Sequence, residues 1–403
     1  MSCHPLRQTT AILALTVTFC LSQTCPGAEQ PPAEGPSAPD ETEPGPAQPE
    51  RVVPERFPPA YMLASRGPIL RLASVPNMLG DFFNQGGQVS MTGAVNALAD
   101  MPLAGGGRRA KIAENNKALP MDRCFFMYHH FHNALEADPN TLLPGLARNF
   151  SVNRYTIGLE KRFLNDCWSI DIRMPFTEDY AWSPGKFAVA GGDIGNLSIT
   201  FKRLLAVSCT GAVAAGLMIE TPTGDDATCR AVTTNVTLRN HAVHLSPYIG
   251  FLRAPNDRLF YQGFLQVDVP ANGNRVDYVD TTVPASGTFG NLNEQTLLHA
   301  DLSAGYWLHR NCCRRGVTGL ASIVEFHYTT ALQNADVVPG ALAGTNFQFG
   351  NLRNRFDLVN LTAGLHAELA RRTTVRVAGA FPIAEGPERP FDAEVQVSIN
   401  RRF

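Results

Sequence analysis

Apolar and polar residues alternate along the second half of this chain in segments of about a dozen residues. The last segment is the sharpest. Phe391, Ala393, Val395, Val397, Ile399, Arg401 and Phe403 share one parity, and Asp392, Glu394, Gln396, Ser398, Asn400 and Arg402 fill the other. A period of two predicts an extended strand with one apolar face. Walking backwards, Val359, Leu361, Ala363, Leu365, Ala367 and Leu369 oppose Asn360, Thr362, Gly364, His366 and Glu368. Around Leu259 the alternation persists, with Phe260 and Phe264 as exceptions on the polar parity.

Charged residues recur on the polar parity at mid-strand positions. A dry two-layer core would have to pair every one of them, whereas a barrel with hydrocarbon outside and polar groups inside would not. The pattern predicts an all-β fold, a closed antiparallel transmembrane β-barrel of about twelve strands. They are expected near 123–133, 149–163, 167–177, 195–206, 211–221, 243–252, 258–269, 294–309, 317–331, 355–371, 373–384 and 391–403. Connections after the even-numbered strands are short. Those after the odd-numbered ones run longer, at 134–148, 178–194, 222–242, 270–293 and 332–354, and are read as loops rich in Gly, Pro, Asn and Thr; only the last, 384–390, is short. Short periplasmic turns and longer outer loops are the expected asymmetry of an outer-membrane barrel, and an even strand count returns both chain ends to one side. Unpaired sheet edges are untenable in lipid, so the first and last strands must meet. A soluble β-sandwich is the competing fold.

The N-terminal part differs. Residues 11–21, AILALTVTFCL, follow His4 and Arg7 and are too short to cross as a helix, so 1–28 reads as a secretory signal peptide. Cys25 also permits lipidation. Residues 29–60 are rich in Pro, Glu and Gly and are expected to form a disordered tether. Residues 61–119 are not strongly strand-like and read as a lead-in or plug segment, ahead of a barrel over 120–403. The Gly105-Gly106-Gly107 run lacks the ending of a phosphate loop. A net charge of -2 with 17% charged residues gives no sign of a nucleic-acid partner.

Parity assigns Arg154, Glu160, Arg162, Asp171, Arg173, Lys202, Asp268, Asp301, Glu325, Glu368, Arg376 and Glu394 to the lumen, with Glu220, His327 and Arg402 beside them. Either these line a water-filled passage for small solutes, or they knit a filled interior together. On this parity Leu361→Arg should block assembly, whereas Thr362→Arg should be tolerated. His129, His130 and His132 have no carboxylate or cysteine at suitable ligand spacing and read as a rim or turn patch near the outer mouth; no metal or other cofactor is expected. His241 and His244 fall on opposite parities and add little. Cys209 and Cys229 are placed on opposite sides of the membrane and are not expected to bond, while Cys167 lies in a turn neighbouring Cys209, and Cys312 or Cys313 can tie down the lead-in. A lipid hydrolase would need Ser and His on one outer face, and Ser322 and His299 have opposite parities, so no enzyme is expected.

With these features in hand, the chain resembles bacterial outer-membrane barrels of the porin or putative transporter kind. "VPNMLGDFF" and "RRAKIAENNKALPMDRCFFMYHHFHNAL" also resemble uncharacterised planctomycete envelope barrels and, distantly, the outer-membrane family associated with phenol degradation. The resemblance implies location in a bacterial outer membrane, contact with outer-membrane lipid, and insertion by the barrel-assembly machinery through the signal Val395, Val397, Ile399 and Phe403. It implies a channel or passive transporter for small solutes; the alternatives are a non-conducting barrel for anchoring or surface display, and a membrane-embedded lipid hydrolase.

Overall fold

The computed structural model describes residues 71–81, 87–101, 109–143, 145–282, 285–311, 316–370, 372–384 and 389–403, the side chain of Asp179 excepted. The readings on 1–28 and 29–60, on Gly105–Gly107 and on Cys312 and Cys313 fall outside these residues. The strands are β1 (Gly87–Gly93), β2 (Ala97–Met101), β3 (Arg123–Asp138), β4 (Arg148–Phe163), β5 (Trp168–Trp182), β6 (Phe187–Ile194), β7 (Leu197–Val207), β8 (Gly211–Thr221), β9 (Ala227–Ala231), β10 (Thr234–Leu238) and β11 (His244–Arg253). They continue as β12 (Leu259–Pro270), β13 (Asn274–Asp280), β14 (Ala285–Leu292), β15 (Leu297–Arg310), β16 (Val317–Ala331), β17 (Val337–Leu342), β18 (Thr345–Gly350), β19 (Asp357–Leu369), β20 (Thr373–Pro382) and β21 (Ala393–Arg402).

Twelve of them form a closed antiparallel wall, in the order β3, β4, β5, β7, β8, β11, β12, β15, β16, β19, β20 and β21. The ring shuts where β21 pairs with β3, with Val397 opposite Tyr128 and Arg402 opposite Arg123. These are the twelve strands that alternation predicted. No helix among the described residues is long and apolar enough to cross a membrane, so any crossing is by strands.

The wall is polar inside and apolar outside. On β21, Val395 and Ile399 are exposed, while Glu394, Gln396, Ser398 and Asn400 are buried. Leu361 and Leu365 likewise face out between buried Asn360, Thr362 and His366. A water-soluble fold would invert this assignment, so the exterior matches hydrocarbon. The two exceptions to parity have a local cause. Phe260 and Phe264 are buried inside, each lying over an inward glycine of the next strand: a Cβ on Gly305 would fall 2.1 Å from the Phe260 ring, and one on Gly250 2.3 Å from the Phe264 ring. The ring fills the space that the missing side chain leaves, and the close approach lets the wall curve.

The long connections are not irregular loops, contrary to the sequence reading. At the end opposite the short turns they fold into hairpins that form a crown. One ladder runs from the end of β5 through β6, β9, β10, β13 and β14. A second joins β17, β18, β1, β2 and the end of β3. Here the sidedness reverses. Val89, Met91, Phe187, Val236, Phe347 and Phe349 are buried in a shared apolar core, with Tyr278 and Phe289 stacked 4.5 Å apart at its margin. The crown is built for water outside and the wall for lipid, so one chain carries two opposite interiors. Residues 61–119 were not expected to contribute strands, yet β1 and β2 complete the crown.

Candidate functional site: the charged lumen and the segments inside it

Two segments run inside the wall. The first, 71–81, begins with a short helical turn at 71–74 and is tied to the short-turn end by Arg71 to Asp257 at 2.8 Å and by Arg310 to Ser74 at 2.8 Å. It leads to β1 in the crown, and 109–121 returns from the crown side to β3. The segments bond to each other: Met78 N–H donates to Asn116 O at 2.8 Å, and Lys117 Nζ donates to Ala73 O and Val75 O at 2.8 Å.

Among the described residues, side chains from at least ten of the twelve wall strands bond to them. Glu325 accepts from the Leu79 and Gly80 N–H groups at 2.9 and 2.8 Å, and Arg376 donates to Asn77 O and Met78 O at 3.0 and 2.6 Å. Arg376 also donates to Asn115 Oδ1. Gly80 O accepts from Thr362 Oγ1 and Gln396 Nε2, and Pro76 O accepts from Gln262. For the returning segment, Ala110 N–H donates to Glu220, Arg173 donates to Glu114 O, Arg154 to the Glu114 carboxylate, Lys202 to Asn116, and Met121 N–H to Glu160. Asp301 of β15 completes the set by pairing with Lys111. The inner backbone has no ladder of its own, so wall side chains supply the partners that buried peptide groups require.

Three charge clusters organise these contacts. Nearest the short-turn end, Glu160 accepts from Arg123 at 2.9 Å, Lys202 at 2.9 Å and Ser169 at 2.8 Å, while Asp171 bridges Arg123 at 3.2 Å and Arg173 at 3.0 Å. Toward the crown, Arg109 pairs with Glu294 at 2.9 Å and Asp268 at 3.2 Å, and the two ring nitrogens of His244 face Asp268 and Glu294 at 3.0 and 3.3 Å. Between them, Lys111 Nζ lies 2.6 Å from Asp81 and 2.9 Å from Asp301, with His327 Nδ1 2.7 Å from Asp301. Burial pushes the Asp81 carboxyl up, but His327 and Lys111 outweigh it and hold it below its ordinary value. Burial likewise pushes the Lys111 ammonium down, and Asp301 with Asp81 more than restores it. At the wall–crown junction Glu294 is raised by burial and lowered further by His244 and Arg109, down to about 2.

Asp81, Asp301 and His327 bring three ligand atoms within 4.8 Å of one another. The Lys111 ammonium already sits on both carboxylates, which removes the negative charge a cation would need.

Burial of the residues assigned to the lumen by parity varies along the wall. Arg154, Glu160, Asp171, Arg173, Lys202, Asp268, Asp301, Glu325, Arg376 and Glu394 are buried. Arg162 and Glu368 are half-buried toward the short-turn end, where Arg162 pairs with Asp122 at 2.8 Å. Three readings need correction. His129 is not part of a mouth patch: it is buried in the wall 2.6 Å from Glu394, a carboxylate brought by the last strand. His244, dismissed on parity, sits in the crown-side cluster. Thr362→Arg cannot be tolerated as expected, because Thr362 is fully buried against Gly80. The sequence also left unassigned the cations Arg109, Lys111 and Lys117, which look like ordinary solvated charges until the wall surrounds them. Cys229 is free and buried in the crown, and Cys124 and Cys167 are free as well, whereas Cys209 is disulfide-bonded. Ser322 and His299 lie on opposite faces of the wall, so they form no hydrolytic pair.

Gly80 is a point of close approach between the inner segments. Its φ is +84°, and a Cβ there would lie 2.7 Å from Glu114 Cα. Gly80→Ala is therefore expected to cost about 1–3 kcal/mol through left-handed strain and overlap, read as a lower melting temperature of the refolded protein. An unchanged melt would show that the segments are not packed against each other.

No protein-family model matches the sequence, and neither does any curated protein. Among solved structures, an outer membrane channel from Pseudomonas putida F1 is 9% identical, with 71% of this chain and 97% of that one covered and a TM-score of 0.42. The translocator domain of the autotransporter NalP from Neisseria meningitidis gives 10%, 72%, 90% and 0.42. The Ralstonia pickettii toluene transporter TbuX gives 8%, 74%, 97% and 0.36. None of these three exceeds a TM-score of 0.42, and nothing about the solutes or partners of this chain follows from them. Its own closed wall, apolar outside and polar inside, is the architecture of an outer-membrane β-barrel, and a bacterial outer membrane is the setting that such an exterior requires.

Proposed function

We propose that the chain is an outer-membrane channel for small solutes, shut in this conformation by its own inner segments. One observation carries the reading. The inner face of the wall is lined with charged and amide side chains, and it holds the segments through hydrogen bonds that water can replace. A wall of this kind stays wetted once the segments shift, as a conducting lumen must. The barrel-assembly machinery and the signal Val395, Val397, Ile399 and Phe403 belong to the same reading; the outward direction of Val395, Ile399 and Phe403 supports it.

The second reading is a non-conducting barrel that anchors and displays the crown. The apolar crown core favours it, since a dry lid would close even an emptied wall.

Planar-bilayer recording separates the two. The full chain is expected to be silent apart from rare openings, and Glu325→Gln combined with Arg376→Gln, which weakens the hold on residues 77–80, is expected to raise the open fraction at least tenfold. Silence of both forms, with insertion verified, would favour the display barrel.

A further inference from the structure

We propose that the crown half of the lumen contains a receptor site for small primary ammonium solutes, which Lys111 occupies as a tethered stand-in. As a statement about what passes the barrel this rests on the channel reading above; as a statement about a binding site it stands on the geometry alone.

The Lys111 side chain is wholly buried, and its ammonium reaches across to a wall carboxylate, Asp301, at 2.9 Å as well as to Asp81 of the other inner segment at 2.6 Å. A buried ammonium needs acceptors for three N–H donors. The pocket holds more acceptor capacity than Lys111 uses. Asp301 Oδ1 serves both Lys111 and His327, whereas Asp301 Oδ2 is buried with no hydrogen-bond partner among the described residues. A carboxylate committed only to knitting the wall would not leave an oxygen idle at this depth, because an unmet buried acceptor is costly. Arg109 repeats the arrangement one cluster higher, on Asp268 and Glu294.

The placement of charge along the wall agrees. Glu220, Asp268, Asp301 and Glu394 lie toward the crown ends of their strands, with His129 against Glu394 and His244 against Asp268, while Glu325 and Arg154 lie near mid-strand. Arg123, Arg173, Lys202, Arg376 and Arg402 lie toward the opposite ends, where they outnumber the wall carboxylates Glu160, Asp171 and Glu368. When the returning segment moves away, Arg109 and Lys111 leave with it. The crown half then presents carboxylates stripped of two counterions, with fields concentrated by the low-dielectric wall. An incoming primary ammonium ion restores what Lys111 supplied, so entering solute and departing segment exchange places.

Side-chain rescue tests this. Lys111→Ala removes the propylammonium portion of the side chain and leaves its space, and Lys111→Met fills that space without charge. The full-length protein, refolded into detergent, is melted with and without millimolar propylammonium, with propan-1-ol as the uncharged control. The melting temperature of Lys111→Ala is expected to fall below that of the natural chain and to rise by several degrees with propylammonium but not with propan-1-ol, while the natural chain and Lys111→Met show no response to either. No response in Lys111→Ala, or an equal response in all three proteins, would overturn the site. Should Lys111→Ala fail to refold alone, its yield with propylammonium in the refolding buffer becomes the readout: recovery supports the site, and failure in both buffers overturns it. The assay reads binding without current, so a silent bilayer would sink the channel reading and leave this result standing.

Discussion

Replacing Glu160 by Ala is expected to destabilise the folded barrel by about 3–5 kcal/mol, the scale for removing one partner from a buried ion pair. Glu160 is fully buried and accepts from Arg123, Lys202, Ser169 and the Met121 N–H group. Without it, Arg123 keeps Asp171 and Asn400, and Lys202 keeps Asn116 and Leu119 O, so Arg123, Lys202 and Arg173 crowd one site with Asp171 as the carboxylate left among them. Glu160→Gln preserves the shape and one acceptor oxygen, and its cost is expected to be smaller. Urea unfolding in lipid vesicles measures both. The size of the loss also reports on the lumen: a value below about 1 kcal/mol is what solvent-exposed pairs give, and would mean that water, not the inner segments, surrounds Glu160.

The second large effect belongs to the outer face. Leu361 sits in mid-strand on β19, level with Phe326 on one side and Phe381 on the other, and all three are exposed. Leu361→Arg places a guanidinium in the middle of that apolar band and is expected to cost about 2–4 kcal/mol in a bilayer. Asn235 on β10 is also exposed, but it belongs to the crown, where its neighbour Val236 is fully buried. Asn235→Arg is expected to stay within about 0.5 kcal/mol of the natural chain. Folding yield into vesicles compares the two. The same substitution on two outward strand positions should give opposite outcomes, because the solvent outside differs; equal costs would contradict the division between wall and crown.

Much of the wall was legible in the sequence because period two needs no long-range information. Each strand states its own faces, and charges such as Asp171 and Glu325 at mid-strand parity already require a polar interior. The closure of β21 on β3 follows from the solvent, since no edge survives in hydrocarbon. What escaped was set by distant partners. The crown hairpins are short strands rich in Gly, Thr and Pro, such as β17 with Pro339, and they read as loops until their apolar faces meet hairpins far along the chain. Residues 71–81 and 109–121 carry no periodic signal because wall side chains, rather than a ladder, satisfy their backbone. His244 was set aside since its carboxylates, Asp268 and Glu294, come from other elements. Phe260 and Phe264 looked like errors of parity and are explained by Gly305 and Gly250 on adjacent strands, a pairing visible only once the register is known.

Spin labels on single-cysteine variants at Leu365, Val377, Val395, Val236 and Phe347 offer the most direct measurement of the central claim, with oxygen as the lipid-soluble relaxant and a nickel chelate as the water-soluble one. Labels at Leu365, Val377 and Val395 are expected to be relaxed strongly by oxygen and weakly by nickel, and labels at Val236 and Phe347 weakly by both. Strong nickel relaxation at Leu365, Val377 and Val395 would place water on the outer face of the wall and contradict the account.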